Sequence, residues 1–227
     1  MSKKLFSIGS CLLAIVIITF VSWFAISSIA QEDDEDGSFR LVVLGDSLAS
    51  GYLLPKEESF IARLQTALQA QGLDNIKVIS SAIAGSTTQD GVNRLQSVLD
   101  EHPHAVLLEL GANDLLKSID SATTRKNLEE LITTFQQNDI PVMLIGINIP
   151  LLIDVKRRQD AAQMYTDLAK KYKLVLYPNF LQDVLIERFG TYDLKYMQSD
   201  SVHPTAEGVN VMVKKITPVI VKFLYEL

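Results

Sequence analysis

The feature that most constrains the fold of this 227-residue chain is the alternation of short apolar runs with segments of helical periodicity. A strand that is apolar on both faces is typical of a parallel sheet covered by helices on both sides. We therefore predict an α/β fold with a mostly parallel five-stranded sheet, in a domain that spans residues 39–227. The predicted strands are 39–44, 76–79, 105–110, 141–147 and 173–176, and the predicted helices are 59–71, 87–100, 127–137, 161–172 and 205–224.

Polar turns follow the first three predicted strands, at the edge of the sheet where open parallel folds bind ligands. They cover residues 45–47 after the first strand, 84–86 after the second and 111–114 after the third. A fourth polar segment, residues 200–204, precedes the last helix. These four segments together form the candidate site.

Ser47 is the candidate nucleophile at this edge. A serine hydroxyl attacks an ester only when a base takes its proton, and histidine serves best near neutral pH. His203 is the remaining base, because His102 and His104 precede the third strand and therefore lie at the opposite edge. Asp200, three positions before His203 on a turn or helical segment, is placed to orient the imidazole.

Acyl transfer also needs hydrogen-bond donors directed at the oxyanion of the tetrahedral intermediate. The candidates are the backbone N–H groups of Ser47 and Gly85 and the side-chain amide of Asn113. A glycine at position 85 lets the backbone approach a substrate closely. The pattern therefore predicts nucleophilic acyl transfer by a serine hydrolase.

Charge and cysteine content exclude several other functions. The chain has a net charge of −6 and no basic stripe, which argues against a nucleic-acid partner. Cys11 is the only cysteine, so the remainder of the chain has no disulfide, thiolate nucleophile or cysteine-based zinc site. A nucleotide-binding protein is disfavoured because the chain has no glycine-rich phosphate loop.

Residues 1–30 are predicted to be an export signal or a membrane anchor. No charge occurs from position 5 to 31, whereas Lys3 and Lys4 precede this run and an acidic block follows it. That asymmetry predicts an extracytoplasmic domain, in the periplasm or at the cell surface. Both fates remain open, because the run is long for a cleaved signal and nearly spans a bilayer. Membrane contact is expected only through an uncleaved segment, and residues 31–38 are predicted to be an acidic linker.

The four turns resemble the signature blocks of the GDSL, or SGNH, hydrolases, above all the bacterial thioesterase I/protease I/lysophospholipase (arylesterase) group. The resemblance covers about residues 39–225 and implies a flavodoxin-like three-layer α/β/α sandwich without metal or cofactor. It also implies Ser47 as nucleophile, His203 as base and Asp200 as its acid, with Ser47, Gly85 and Asn113 as the oxyanion hole. Ser86 departs from the pattern, since members of this group often have Asp there. The matching blocks are Gly-Asp-Ser-Leu at 45–48, Gly85, Gly111-x-Asn113-Asp114 and Asp200-x-x-His203-Pro204.

The expected function is hydrolysis of carboxylic esters or thioesters, with acyl or lysophospholipid-type substrates and an acyl-enzyme on Ser47. Two alternatives remain open: a carbohydrate O-acetylesterase, and a non-catalytic lipid- or glycan-binding module on the same fold. Apolar loops at the same edge favour a groove for an acyl chain, although these side chains can instead pack into the domain. The candidate groove residues are Leu115, Leu116, Ile149, Leu151 and Leu152.

Overall fold

The central sheet has five parallel strands in the order β2-β1-β3-β4-β5, which confirms the predicted α/β architecture. The computed structural model describes residues 37–149, 152–188, 191–193 and 195–227, and residues 38–227 form one compact unit. The strands are β1 (Phe39–Gly45), β2 (Ile76–Ala82), β3 (Ala105–Leu108), β4 (Val142–Ile145) and β5 (Val175–Tyr177).

The strand order reverses between β1 and β3, which are both central and buried. In doubly wound sheets of this order, the crevice for a ligand opens at the carboxyl ends of the two strands on either side of the reversal. The segments that follow β1 and β3 are therefore the ones that the fold brings to a site.

Helices cover both faces of the sheet, so residues 38–227 form a three-layer sandwich. The second helix packs against the eighth, and the third and seventh pack against the sixth. A two-stranded antiparallel hairpin, β6 (Ile186–Arg188) and β7 (Thr191–Asp193), lies outside the main sheet. The helices are α1 (Ser47–Ser50), α2 (Phe60–Gln69), α3 (Thr88–Asn93), α4 (Leu95–Leu99), α5 (Ala112–Leu116), α6 (Ser121–Gln137), α7 (Val155–Tyr172) and α8 (Ala206–Tyr225).

Side-chain caps set where the long helices begin. Ser59, Asp120, Asp154 and Thr205 each accept a hydrogen bond from a backbone N–H in the first turn of α2, α6, α7 and α8. Such a bond satisfies one of the donors that a helix start leaves free. Within the described part of the chain, no helix has the length and apolar character needed to cross a bilayer.

The elements differ from the predicted ones at several places. Helices α6 and α7 begin at Ser121 and Val155 rather than at 127 and 161, and the β6-β7 hairpin was not predicted. The helix predicted at 87–100 is two short helices, α3 and α4, because the backbone of Arg94 leaves helical geometry at φ −105° and ψ 11°. The turns after β1 and β3 each contain a short helix, α1 and α5, which the sequence did not predict. Lys173 closes α7 in the left-handed conformation, so β5 begins at Val175 rather than at 173.

The N-terminal prediction lies outside the described residues. The signal or anchor at 1–30 and nearly all of the predicted linker at 31–38 belong to the part of the chain that the structure does not describe.

Candidate active site

Ser47 is the first residue of α1 and follows β1 after one intervening residue. That residue, Asp46, is fully buried and caps α1 by accepting the N–H of Leu48 at 3.0 Å. Ser47 itself is 8% exposed, so the turn holds the hydroxyl at the carboxyl edge of the sheet with little freedom.

His203 lies 2.8 Å from Ser47, measured between imidazole Nε2 and serine Oγ. The other ring nitrogen, Nδ1, lies 2.7 Å from Oδ2 of Asp200. The second carboxylate oxygen of Asp200 accepts the backbone N–H groups of Val202 and His203, each at 3.0 Å. The structure thus brings the three predicted catalytic side chains into one hydrogen-bonded series.

Local bonds also fix the charge of Asp200 and the place of His203. Partial burial opposes ionisation of the Asp200 carboxyl, but the hydrogen bonds from the His203 backbone and side chain and from Val202 lower its pKa below the ordinary value. The ring of Tyr52 packs on the imidazole with centroids 4.5 Å apart, and Gln198 donates to the Tyr52 carbonyl at 2.9 Å. The imidazole of His203 is therefore held by a negatively charged Asp200 at Nδ1 and by the Tyr52 ring packed against it.

A cavity of about 230 Å³ opens over Ser47, with Gly85, Asn113 and His203 in its wall. All three predicted oxyanion donors therefore border one space. Gly85 has φ +82°, and a Cβ there would meet nothing within 4 Å among the described residues, so its backbone conformation is what favours glycine. Lys117 donates to the Gly85 carbonyl at 2.9 Å and holds the loop in place.

The side-chain amide of Asn113 makes two hydrogen bonds to neighbouring turns. Its Nδ2 donates to Oδ2 of Asp46 at 3.2 Å and to the carbonyl of Ser86 at 2.9 Å. A side-chain amide has two N–H groups, so these two bonds use both of its donors. The bond to Asp46 is the longer of the two and therefore the weaker. Asn113 ties the turns after β1 and β2 together as well as bordering the cavity.

Ser86, which departs from the family pattern, is bonded by Arg94. Its guanidinium donates to Oγ of Ser86 at 3.1 Å, to the carbonyl of Gly45 at 2.8 Å and to the carbonyl of Ser81 at 3.3 Å. The Arg94 guanidinium therefore joins the loop after β2 to the end of β1, and its acceptor in that loop is a neutral serine hydroxyl. The break between α3 and α4 occurs at this same arginine.

A second buried acid, Glu109, contacts the turn that carries Ser47, and it is not among the residues predicted from the sequence. Its Oε2 accepts the N–H of Asp46 at 3.2 Å, while its Oε1 has no hydrogen-bond partner among the described residues. Burial raises the pKa of Glu109 well above the ordinary range, and the neighbouring Asp46 raises it further. Burial likewise raises the pKa of Asp46 to about 7, against the hydrogen bonds from Leu48 and Asn113. The sequence does contain a pattern that could have indicated Glu109, because it is an acidic residue near the end of an otherwise apolar strand.

The candidate groove residues fall into different environments. Leu116 is in the cavity wall beside Ser47, and Leu115 is half-buried against a neighbouring cavity next to Arg157. Leu152 is exposed, whereas Ile149 is fully buried in the core and packs into the body of the domain. Leu151 lies outside the described residues. No group of three or more His, Cys, Asp or Glu residues is arranged to hold a metal ion in the part of the chain that the structure describes.

Comparisons with known proteins give the same picture. A sequence model of the GDSL-like lipase/acylhydrolase family matches residues 43–211. An arylesterase of Vibrio mimicus is 31% identical over 209 residues, which cover 92% of this chain and 98% of the relative. The thioesterase 1/protease 1/lysophospholipase L1 of Escherichia coli K12 is 28% identical over 185 residues, covering 79% of this chain and 84% of the relative.

A solved structure resembles the whole described domain. The psychrotrophic esterase EstA from Pseudoalteromonas sp., in a structure inhibited by monoethylphosphonate, is 28% identical with a TM-score of 0.74. The match covers 82% of this chain and 98% of EstA.

Proposed function

Because the chain belongs to the GDSL-like lipase/acylhydrolase family and is a hydrolase of carboxylic esters or thioesters, we propose that Ser47 is its nucleophile and that His203 and Asp200 activate it. The observation that carries this proposal is the series of hydrogen bonds from Ser47 Oγ through the imidazole to Asp200, at 2.8 and 2.7 Å. The Asp200 carboxylate favours the tautomer with its proton on Nδ1, which leaves Nε2 free to accept the serine proton.

The reaction then proceeds in two symmetrical halves. Ser47 Oγ attacks the carbonyl carbon while its proton moves to His203 Nε2, and collapse of the tetrahedral intermediate returns that proton to the leaving alcohol or thiol. Water takes the place of the leaving group, gives its proton to the same nitrogen and attacks the acyl-enzyme. The acid is released and the serine hydroxyl is restored.

The backbone N–H groups of Ser47 and Gly85 and the amide of Asn113 are the donors that we assign to the oxyanion. Burial beside the cavity increases the effect of each donor, because little water competes with it. For the Asn113 amide to donate to the oxyanion, the N–H group that bonds Asp46 must either leave that carboxylate or donate to both acceptors at once. The bond to the Ser86 carbonyl keeps the amide in place meanwhile.

We propose acyl esters or thioesters, including lysophospholipid-type substrates, as the substrate class. The cavity over Ser47 holds a small group, and Leu116 with Tyr52 makes part of its wall apolar. An apolar wall beside the nucleophile contributes binding energy to the acyl part of a substrate rather than to a sugar.

Labelling with a fluorophosphonate tests the mechanism directly, because such reagents form a stable adduct with an activated serine. We expect stoichiometric labelling at Ser47, located by peptide mass spectrometry, and none in Ser47→Ala. Ser50→Ala at the other end of α1 is the matched control and should label like the wild type. Absence of labelling in the folded wild-type protein would contradict the proposal and favour a binding module.

For residues 1–30 we propose export, by a cleaved signal or as an uncleaved anchor. The uncharged stretch between Lys4 and the acidic block supports this proposal. Cell fractionation and the mass of the recovered protein separate the two fates. A cleaved signal gives a shortened soluble form outside the cytoplasm, whereas an uncleaved anchor gives a full-length form in the membrane. A full-length soluble protein in the cytoplasm would contradict both.

A further inference from the structure

Leu53 occupies a position that is unfavourable for a leucine in two respects. Its side chain is 76% exposed, and its backbone lies in the left-handed region at φ +59°. A bulky residue with positive φ is strained, and an exposed apolar side chain gains nothing from burial. Local bonds hold this conformation, since Leu54 donates to the Gly51 carbonyl at 3.0 Å and the adjacent Tyr52 packs on His203.

Leu53 belongs to a set of exposed apolar side chains that we call the collar. Within the described residues, eight large apolar side chains are exposed, and all except Tyr225 and Leu227 lie in segments at the carboxyl edge of the sheet. The collar consists of Tyr52, Leu53, Ile83, Leu116, Leu152 and Val155.

Neighbouring residues and bonds place four collar residues at the opening over Ser47 or beside it. Tyr52 and Leu116 are themselves in the cavity wall. Ile83 precedes the wall residue Ala84, and its N–H donates to the Gly45 carbonyl at 3.2 Å. On the far side, Arg157 in the first turn of α7 donates to the carbonyl of Leu115 at 2.7 Å, which brings the helix start at Val155 beside α5.

We propose that the collar docks the enzyme on the surface of a zwitterionic lipid aggregate, so that an ester passes from that surface directly to Ser47. This inference rests on the proposed function, because it takes an acyl ester as the substrate. A folded protein seated on the collar would block access to the cavity, whereas a lipid surface supplies the substrate itself. The net charge of −6 disfavours an anionic surface, so apolar insertion supplies the attraction.

A fluorescence experiment tests docking without turnover. The full chain with Ser47→Ala and Cys11→Ser receives one new cysteine, at Leu53 or Ile83, labelled with a polarity-sensitive fluorophore. On mixing with phosphatidylcholine vesicles, we expect a blue shift at both positions and quenching by a lipid-borne quencher. Tyr225→Cys is the matched control, since Tyr225 is 74% exposed and lies outside the collar. An unshifted spectrum at position 53, or an equal shift at 225, would overturn the proposal.

Kinetics separate docking from catalysis. In Leu53→Ser/Ile83→Ser, hydrolysis of an ester carried in phosphatidylcholine vesicles should fall by about tenfold or more, because two apolar insertions are lost. Hydrolysis of a short water-soluble ester should stay within about twofold of wild type, since neither side chain is assigned to the reaction. An equal loss on both substrates would overturn docking as the role of the collar. If the wild type hydrolyses no ester, the proposed function fails, and the fluorescence result still decides docking.

Discussion

The N–H of Asp46 donates to Oε2 of Glu109 at 3.2 Å, so the residue before Ser47 is bonded to a carboxyl group that is fully buried directly after β3. The other oxygen of that carboxyl has no partner among the described residues. An ionised acid in such a place is unfavourable, because burial removes the water that would stabilise its charge.

Glu109→Gln should therefore change how stability depends on pH. The pKa of Glu109 in the folded protein lies above its ordinary value of 4.5, so the free energy of unfolding falls as pH rises from that value towards the folded pKa. Glutamine does not titrate, and the variant lacks this contribution to the fall. We expect denaturant titrations from pH 4.5 to 8 to show the variant gaining stability relative to wild type. Glu130→Gln, on the exposed side of α6, is the control; a parallel pH dependence for Glu109→Gln and wild type would contradict the assignment.

Ser47→Ala and His203→Ala should each reduce kcat on the order of 10⁴- to 10⁶-fold, because nucleophile and base act as one unit. For the same reason, the double variant should lose little more than either single variant. Steady-state kinetics on purified proteins measure this, with melting temperatures to verify folding. Losses that multiply in the double variant would show that the two residues act independently.

Asn113→Ala should lower kcat about 10²–10³-fold with a small change in KM, as expected for an oxyanion donor. Some stability is lost too, because bonds to Asp46 and Ser86 disappear. Asn127→Ala is the matched control: Asn127 is also buried and donates to Thr88 Oγ1 at 3.1 Å, but it is not in the cavity wall. Reduced stability with normal kcat in both variants would mean that Asn113 is structural only.

The rate on p-nitrophenyl esters should rise with acyl length from acetate to a medium chain and then level off. Each methylene that leaves water contributes about 0.8 kcal/mol, or roughly fourfold in kcat/KM if fully realised in the transition state. Leu116→Ser should flatten this rise and leave acetate hydrolysis nearly unchanged, whereas Ile149 is too deeply buried to contact a chain. A wild-type enzyme that is fastest on acetate would instead favour the O-acetylesterase alternative.

Gly111→Ala should destabilise the fold by two additive effects. Gly111 has φ +122°, a sparsely populated conformation that costs an L-residue about 1–3 kcal/mol, and overpacking adds about 1–3 kcal/mol because the new Cβ meets the Tyr165 hydroxyl. Gly111→Ala should cost less in a Tyr165→Phe background than in the wild type, since the next atom is 3.5 Å from the Cβ; the background itself lacks the bond from the Tyr165 hydroxyl to the Leu110 carbonyl. Gly72→Ala, with φ +78° and open space, should show only the backbone cost. Equal losses at Gly72 and Gly111 in denaturant titrations would contradict the clash.

The sequence predicted the sheet and the segments that carry the site because both depend on short-range patterns. A strand buried on both faces is a continuous apolar run, and parallel strands have their carboxyl ends at one edge. The positions of Ser47, Gly85 and Asn113 follow from these two facts. His203 follows no strand of the sheet, and the sequence indicated it only as the histidine that remained once His102 and His104 were placed at the opposite edge.

Other features depend on contacts that no local pattern encodes. Helices α1 and α5 have only four and five residues, too few for helical periodicity to be visible. The role of Arg94 depends on carbonyls at the ends of two strands distant in sequence. Ile149 lies in the loop after β4 as predicted, but it is fully buried, because its burial is set by the elements packed around it and not by its neighbours in the chain.

The base and its acid share one short segment, and that segment follows the nucleophile by 156 positions. A ribosome completes β1 and α1 long before it reaches His203. With His203 as the base proposed above, a nascent chain carries a serine that cannot react until the last part of the sheet and α8 have been made. Ester hydrolysis is thereby postponed until synthesis is nearly complete, through the order of the chain alone.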